Sequence, residues 1–248
     1  MSNTDHASKL PAITLSFWIM KISATTLGET GGDLLAQTMK VGYAASSLIL
    51  IGLFVVSLTF QLRSKTYLPW LYWLVILSTS TAGTTMSDYM DRSLGLGYTA
   101  GSAILIAILV STLTYWKLSV GSLSVQNVRT FKIEFLYWIT ILFSNTLGTA
   151  LGDFLADDSG LGFAGGAALI SSVILIIVLL YFFTKISRVA LFWIAFVLTR
   201  PLGATFGDFL TKPANHGGLN FGTAGASLIL ALILIICIFV TQKKQSRA

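Results

Sequence analysis

Apolar residues fill the chain in eight runs of about twenty positions, and the polar breaks between them alternate in character. The runs lie near residues 12–36, 42–61, 67–90, 97–117, 132–156, 161–185, 188–211 and 219–241. Runs of that length let an α-helix cross a hydrocarbon core of about 30 Å. The pattern predicts an all-α integral membrane protein of eight transmembrane helices. Breaks after the odd runs are short and rich in Gly, Asp, Ser or Asn, whereas those after the even runs are basic.

The polar positions inside the odd runs repeat. A Trp precedes an Asp by fifteen residues four times, as Trp18/Asp33, Trp73/Asp88, Trp138/Asp153 and Trp193/Asp208. Around each Asp the text recurs as TLGETGGDLL, TAGTTMSDYM, TLGTALGDFL and PLGATFGDFL. The Asp-to-Asp spacings are 55, 65 and 55, so the repeating unit is a two-helix hairpin. The units span 12–66, 67–121, 132–186 and 187–241, and residues 118–131 link the two halves of a single transmembrane domain, 1–248. A two-helix unit returns the chain to the same side, so all four copies are parallel. The natural arrangement is a pseudo-fourfold bundle, or a pseudo-twofold pair of halves. The even helices open on GYAAS, GYTAGS, GFAGGA and NFGTAGAS; the first three start nine residues after their Asp and the fourth, read from Asn220, twelve.

Composition agrees with a membrane protein. The 248 residues are 54% hydrophobic and 10% charged, with mean hydropathy +0.80, against about 25% charged in a soluble domain. The single Cys, Cys237, allows neither an intrachain disulfide nor a Cys-based metal site, and His6 and His216 lie far apart. The polar stretch before Pro11 carries no cleavable signal, so the first run is expected to be retained. Eleven basic residues fall on the side of the N-terminus and the even-helix ends: Lys9, Arg63, Lys65, Lys117, Arg129, Lys132, Lys185, Arg188, Lys243, Lys244 and Arg247. Only Lys40, Arg92 and Lys212 fall on the other. This asymmetry places both termini in the cytoplasm. It reads the net charge of +6 as topology and anionic-lipid contact, with no nucleic acid partner. Each Trp then marks the cytoplasmic interface, and each Asp lies roughly 22 Å above it, in the outer third of the bilayer.

Two stripes run along each odd helix. Small residues four apart (Gly28/Gly32, Gly83/Ser87, Gly148/Gly152 and Gly203/Gly207) are a packing seam. A polar stripe carries Thr26, Thr30, Thr81, Thr85, Thr146, Thr149 and Thr205 beside the four Asp. Hydroxyls and carboxylates form hard oxygen sites suited to Mg²⁺, Mn²⁺, Ca²⁺ or alkali cations, and the same carboxylates can carry protons. A structural role for the Asp is the competing reading, as a cap or as a partner of Arg92 or Lys212. Against it, an anion at a helix C-terminus opposes the helix dipole. Three charges break the repeat: Lys21, Glu29 and Arg200. Arg200 takes the place of Thr25, Ser80 and Asn145 and precedes Pro201, so it reads as a gate or as the partner of Glu29 once the ring closes. Asp91, Asp157 and Asp158 add negative charge at the outer mouth, and KPANHGG brings Lys212, Pro213 and His216 there.

The motif TLGxxxGD, carried by Thr26-Leu27-Gly28, Gly32-Asp33, Thr146-Leu147-Gly148, Gly152-Asp153, Leu202-Gly203 and Gly207-Asp208, resembles a bacterial family of uncharacterised membrane-anchored proteins with four hairpin repeats. The resemblance covers Pro11 to about Thr241 and implies a multi-pass inner-membrane protein; it brings no activity. The residues point first to a cation transporter or channel, for a divalent metal ahead of other cations, with Asp33, Asp88, Asp153 and Asp208 as metal ligands. The seven Thr would line the pathway, and Glu29 and Arg200 would act as charge pair or gate. Its partners are the lipid bilayer and an inorganic cation, protons or both. No cofactor is implied beyond a bound divalent or monovalent cation. The alternative is a non-transporting scaffold or sensor whose polar stripes glue helices together. An intramembrane aspartyl enzyme is a weaker reading, because none of the repeats has Gly at both positions of a GxGD motif, and no enzymatic activity is expected.

Overall fold

The computed structural model describes residues 9–128 and 130–245; His6, Arg129, Arg247 and the side chain of Lys244 lie outside the described residues. Eight long helices form: α1 Leu15–Asp33, α2 Tyr43–Arg63, α3 Pro69–Asp88, α4 Gly97–Val120, α5 Phe131–Asp153, α6 Gly162–Phe183, α7 Arg188–Thr211 and α8 Thr223–Gln245. Their starts are written locally. The Thr14, Thr130 and Ser187 hydroxyls accept the backbone N–H of Phe17, Ile133 and Ala190, and Pro69 opens α3 where a missing N–H removes no helical bond. Six of the helices, α2 and α4 to α8, are long and apolar enough to cross a membrane. The other two are α1, which carries Lys21, Glu29 and Asp33, and α3, rich in Ser and Thr. Among the described residues no strand occurs.

The odd helices pack α1 on α3, α3 on α5, α5 on α7 and α7 back on α1, closing a ring of four. The even helices stand outside it. Each packs chiefly on the next odd helix: α2 on α3, α4 on α5, α6 on α7 and α8 on α1. The glycine seams permit the close approach. A Cβ at Gly28 would sit 2.3 Å from Ser80 Cβ, and one at Gly203 would sit 2.7 Å from Thr25 Cβ. The seam residues Gly83 and Gly148 likewise face Asn145 and Arg200 on the following helix.

The Asp-bearing ends share a backbone device. Asp33, Asp88 and Asp153 each end an α-helix and are followed by five residues of π-helix: Leu34–Thr38, Tyr89–Ser93 and Phe154–Asp158. Two left-handed residues then turn the chain into the next helix: Lys40 and Gly42, Gly95 and Gly97, Gly160 and Gly162. The fourth repeat has the same pair at Asn220 and Gly222. Gly222, not Asn220, therefore matches Gly42, and it lies fourteen residues after Asp208 rather than twelve. The closing bonds agree: Leu219 N donates to Phe209 O as Met39 N does to Leu34 O, and Phe221 N to Leu210 O as Val41 N does to Leu35 O. The fourth loop thus carries a five-residue excursion at Pro213–Gly217 between unchanged ends.

The opposite end of the ring is a buried aromatic plug. Phe17, Tyr72, Trp73, Tyr137, Trp138, Trp116 and Trp193 are buried together, and the Tyr72 and Tyr137 hydroxyls meet at 2.7 Å. The sequence expects the four repeat Trp at a lipid interface. Three of them instead pack inside, with only Trp18 half-buried: Trp73 and Trp138 meet Phe17 and Tyr72 of the neighbouring odd helices, and Trp193 meets Trp116 of α4 and donates to Leu123 O. Below the plug, Lys9 pairs with buried Glu134 at 2.7 Å, and Gln61 donates to the other Glu134 oxygen at 3.0 Å.

Candidate cation site

The four repeated Asp meet at the open end of the ring. They are buried, and each lies within electrostatic reach of others in the set. Two basic side chains join them pairwise. Arg92 holds Asp88 at 3.1 Å and Asp153 at 3.2 Å. Lys212 holds Asp33 at 2.6 Å and Asp208 at 3.3 Å. Both bases lie four residues after an Asp, in the second and fourth repeats; the first and third repeats have Gln37 and Asp157 there. The helical ring is fourfold in plan, while its charges are twofold. Burial by itself would lower the Lys212 pKa, but Asp208, Asp33 and Glu29 outweigh it and raise the ammonium above the ordinary lysine value.

One turn deeper, Glu29 and Arg200 form the expected pair at 2.9 Å. Arg200 is fully buried and crosses the ring: its Nη2 also meets Thr84 Oγ1 on α3 at 2.5 Å and Thr149 Oγ1 on α5 at 2.6 Å. All of its hydrogen bonds run through that nitrogen, leaving Nε and Nη1 without a protein partner. Deeper again, Lys21 reaches from α1 across to Asn145 on α5 at 3.5 Å and lies 4.1 Å from the Phe196 ring centroid. These diagonal contacts place the three charges on the ring axis. Residues four, eight and twelve before each Asp therefore form successive axial layers, ending at Lys21, Ile76, Ile141 and Phe196, all fully buried.

The carboxylates of Glu29, Asp33 and Asp208 come closest to a ligand set, each offering an oxygen within 4.8 Å of the others. Asp33 also accepts from Gln37 Nε2 at 2.5 Å, and Asp208 Oδ1 has the Lys212 ion pair but no hydrogen bond. A cavity of about 330 Å³ opens at this end of the ring, lined by Arg92, Asp157, Phe163, Asp208, Lys212, Pro213 and His216.

The threonines divide. Thr149 meets Arg200, while Thr30 meets Ser227 on α8 at 2.8 Å. Thr26, Thr81, Thr85, Thr146 and Thr205 bond to carbonyls three or four residues back on their own helices. That is the usual recourse of a hydroxyl inside an apolar bundle. Asp157 lines the mouth and accepts from Tyr98 at 3.3 Å. Asp91 does not face the mouth: it is buried against Gly101 of α4 and accepts from Ser87 at 3.1 Å. Thr84, Gln37, Arg92 and Lys212 complete the constellation. The basic residue four after every second Asp is the sequence signal for the last two.

A family model described as Repeat of Unknown Function (DUF347) matches the chain four times, over residues 16–67, 71–122, 136–187 and 191–247. The chain belongs to the DUF347 repeat family. The four-repeat family read from the sequence motif is thereby the one found. Each DUF347 unit begins seventeen residues before its Asp, so the carboxylate holds the same place in every unit. The first three units cover 52 residues and the fourth 57, which is the five-residue excursion seen in the loop. No curated protein and no solved structure matches the chain.

Proposed function

We propose that this DUF347 chain is a cation carrier of the bacterial inner membrane. It crosses the bilayer eight times with both termini in the cytoplasm, and it binds its cargo at Glu29, Asp33 and Asp208. The observation that carries the reading is the approach of these three oxygens to within 4.8 Å, with Asp208 lining the outer cavity. Five carboxylates gather there (the four Asp and Glu29) against three cations (Arg92, Lys212 and Arg200). Two formal negative charges are left over, which one divalent ion or two protons would balance. All-oxygen ligands favour Mg²⁺, Mn²⁺ or Ca²⁺ over soft metals.

Eight spans follow if α1 and α3 cross with their partners. Their polar groups are buried in the ring, where neighbouring helices satisfy them, so low hydropathy does not bar them from the membrane. The basic ends of the even helices support the orientation. Arg200 and the aromatic plug occupy the axis, which favours a carrier that opens by turns over a standing pore. No catalytic role is proposed for the carboxylates.

A second reading, a membrane scaffold, draws on the ion pairs that every repeated Asp makes and on the threonines bonded to their own helices. Proteoliposome flux separates the two. In the carrier reading, Mn²⁺ or Ca²⁺ uptake is present in the wild type and falls at least tenfold in folded Asp33→Asn and Asp208→Asn. Absence of flux for any cation or proton gradient supports the scaffold.

A further inference from the structure

Lys212 differs from the other basic residues of the ring in what it touches. Its single ammonium lies 2.6 Å from Asp33 Oδ2, 3.3 Å from Asp208 Oδ1 and 3.4 Å from Gln37 Oε1. Two of the three carboxylates that form the candidate cation shell are thus already bonded to a positive charge supplied by the chain itself. Asp208 Oδ1 is buried and has no hydrogen bond, so only this ion pair compensates it. The backbone at Lys212 is also distinct. The fourth repeat lacks the five-residue π-helix of the others, its helix ends at Thr211, and Lys212 opens the excursion Pro213–Gly217 with its side chain 22% exposed to the outer cavity.

We infer that Lys212 is a tethered surrogate cation: its ammonium occupies the cargo position when the site is empty and swings into the outer cavity when a hard cation binds Glu29, Asp33 and Asp208. The inference rests on the carrier reading and adds a regulating element to it. The exchange limits the imbalance: with Lys212 in place the cluster carries two excess negative charges, and with a divalent ion in its stead it carries one. An arriving cation competes with the ammonium for the same carboxylate oxygens, and its binding is what releases the side chain. Arg92 is unsuited to the same exchange. It is held at once by Asp88, Asp153, the Tyr43 hydroxyl at 3.3 Å and the ring of Tyr98.

The test uses the purified full chain in detergent and Mn²⁺ as probe, with free Mn²⁺ read by its paramagnetic resonance signal. Lys212→Met is expected to bind Mn²⁺ at least tenfold more tightly than wild type. Lys212→Arg should stay close to wild type, and Arg92→Met should give a smaller gain than Lys212→Met. Equal or weaker binding in folded Lys212→Met, with binding still abolished by Asp208→Asn, overturns the surrogate while leaving the cation site in place. No Mn²⁺ binding in wild type or Lys212→Met overturns both. A second measurement needs no variant: acylation of the Lys212 amine by a water-soluble ester, followed by peptide mass. Saturating Mn²⁺ should speed it several-fold, because the amine is freed; protection of Lys212 by Mn²⁺ would contradict the exchange.

Discussion

The ring has two charge-bearing halves that look alike in sequence and differ in restraint. On one side Arg92 clamps Asp88 and Asp153, and two tyrosines hold the guanidinium in place. On the other side a lone ammonium on a lengthened loop ties Asp33 to Asp208, with Glu29 close by. A planar guanidinium with several fixed donors locks geometry, whereas an ammonium is a mobile point charge. Duplication supplied four equal carboxylates. The base four residues on, and the third acid at Glu29, made the two pairs unlike: one is held by a guanidinium with four partners, the other by a single ammonium.

The largest effect should come from the element both halves share. Arg200→Met leaves Glu29 buried without its partner and should cost about 3–5 kcal/mol, read as a fall in thermal midpoint in detergent. The double variant with Glu29→Gln should recover a substantial part of it. Next comes the contrast itself. Arg92→Met and Lys212→Met each leave two buried carboxylates without their base and should each cost about 1–3 kcal/mol, the larger loss falling on Arg92→Met, which also gives up the Tyr43 hydroxyl and the Tyr98 ring. Equal losses would erase the distinction between the halves. An effect of similar size and different origin is expected at Gly42, where φ is 83° and ψ 159° and an added Cβ would meet nothing within 4 Å. Gly42→Ala there costs only backbone strain, about 1–3 kcal/mol, and should leave cation binding unchanged.

Much of this architecture is legible in the chain. The repeated Trp/Asp spacing and the glycine seams give eight helices and a closed ring, because a seam on every odd helix demands a neighbour on both sides. The Glu29–Arg200 pair is legible too, since the first and fourth copies meet only if the ring closes. Other features depend on three-dimensional packing. Trp73, Trp138 and Trp193 sit at helix starts that would suit a lipid interface, yet they turn into the aromatic cluster at the base of the ring. Threonine spacing names a helix face but not whether a hydroxyl turns outward or back to its own carbonyl. The true register of the fourth loop shows only in backbone angles, because Asn220 stands in the left-handed position held by Lys40, Gly95 and Gly160. Whether Arg92 and Lys212 bridge across helices depends on which odd helix lies beside each, and no single repeat encodes that.

If cargo binds one half of the ring, at Glu29, Asp33 and Asp208, two double variants should part company in equilibrium Mn²⁺ binding. Asp33→Asn/Asp208→Asn loses the site, and Asp88→Asn/Asp153→Asn keeps one ion per chain within a few-fold of wild-type affinity. Equal loss in both doubles would show a single four-carboxylate site, and loss only in the Asp88/Asp153 double would place the site on the half held by Arg92; either result rules out a site built from Glu29, Asp33 and Asp208.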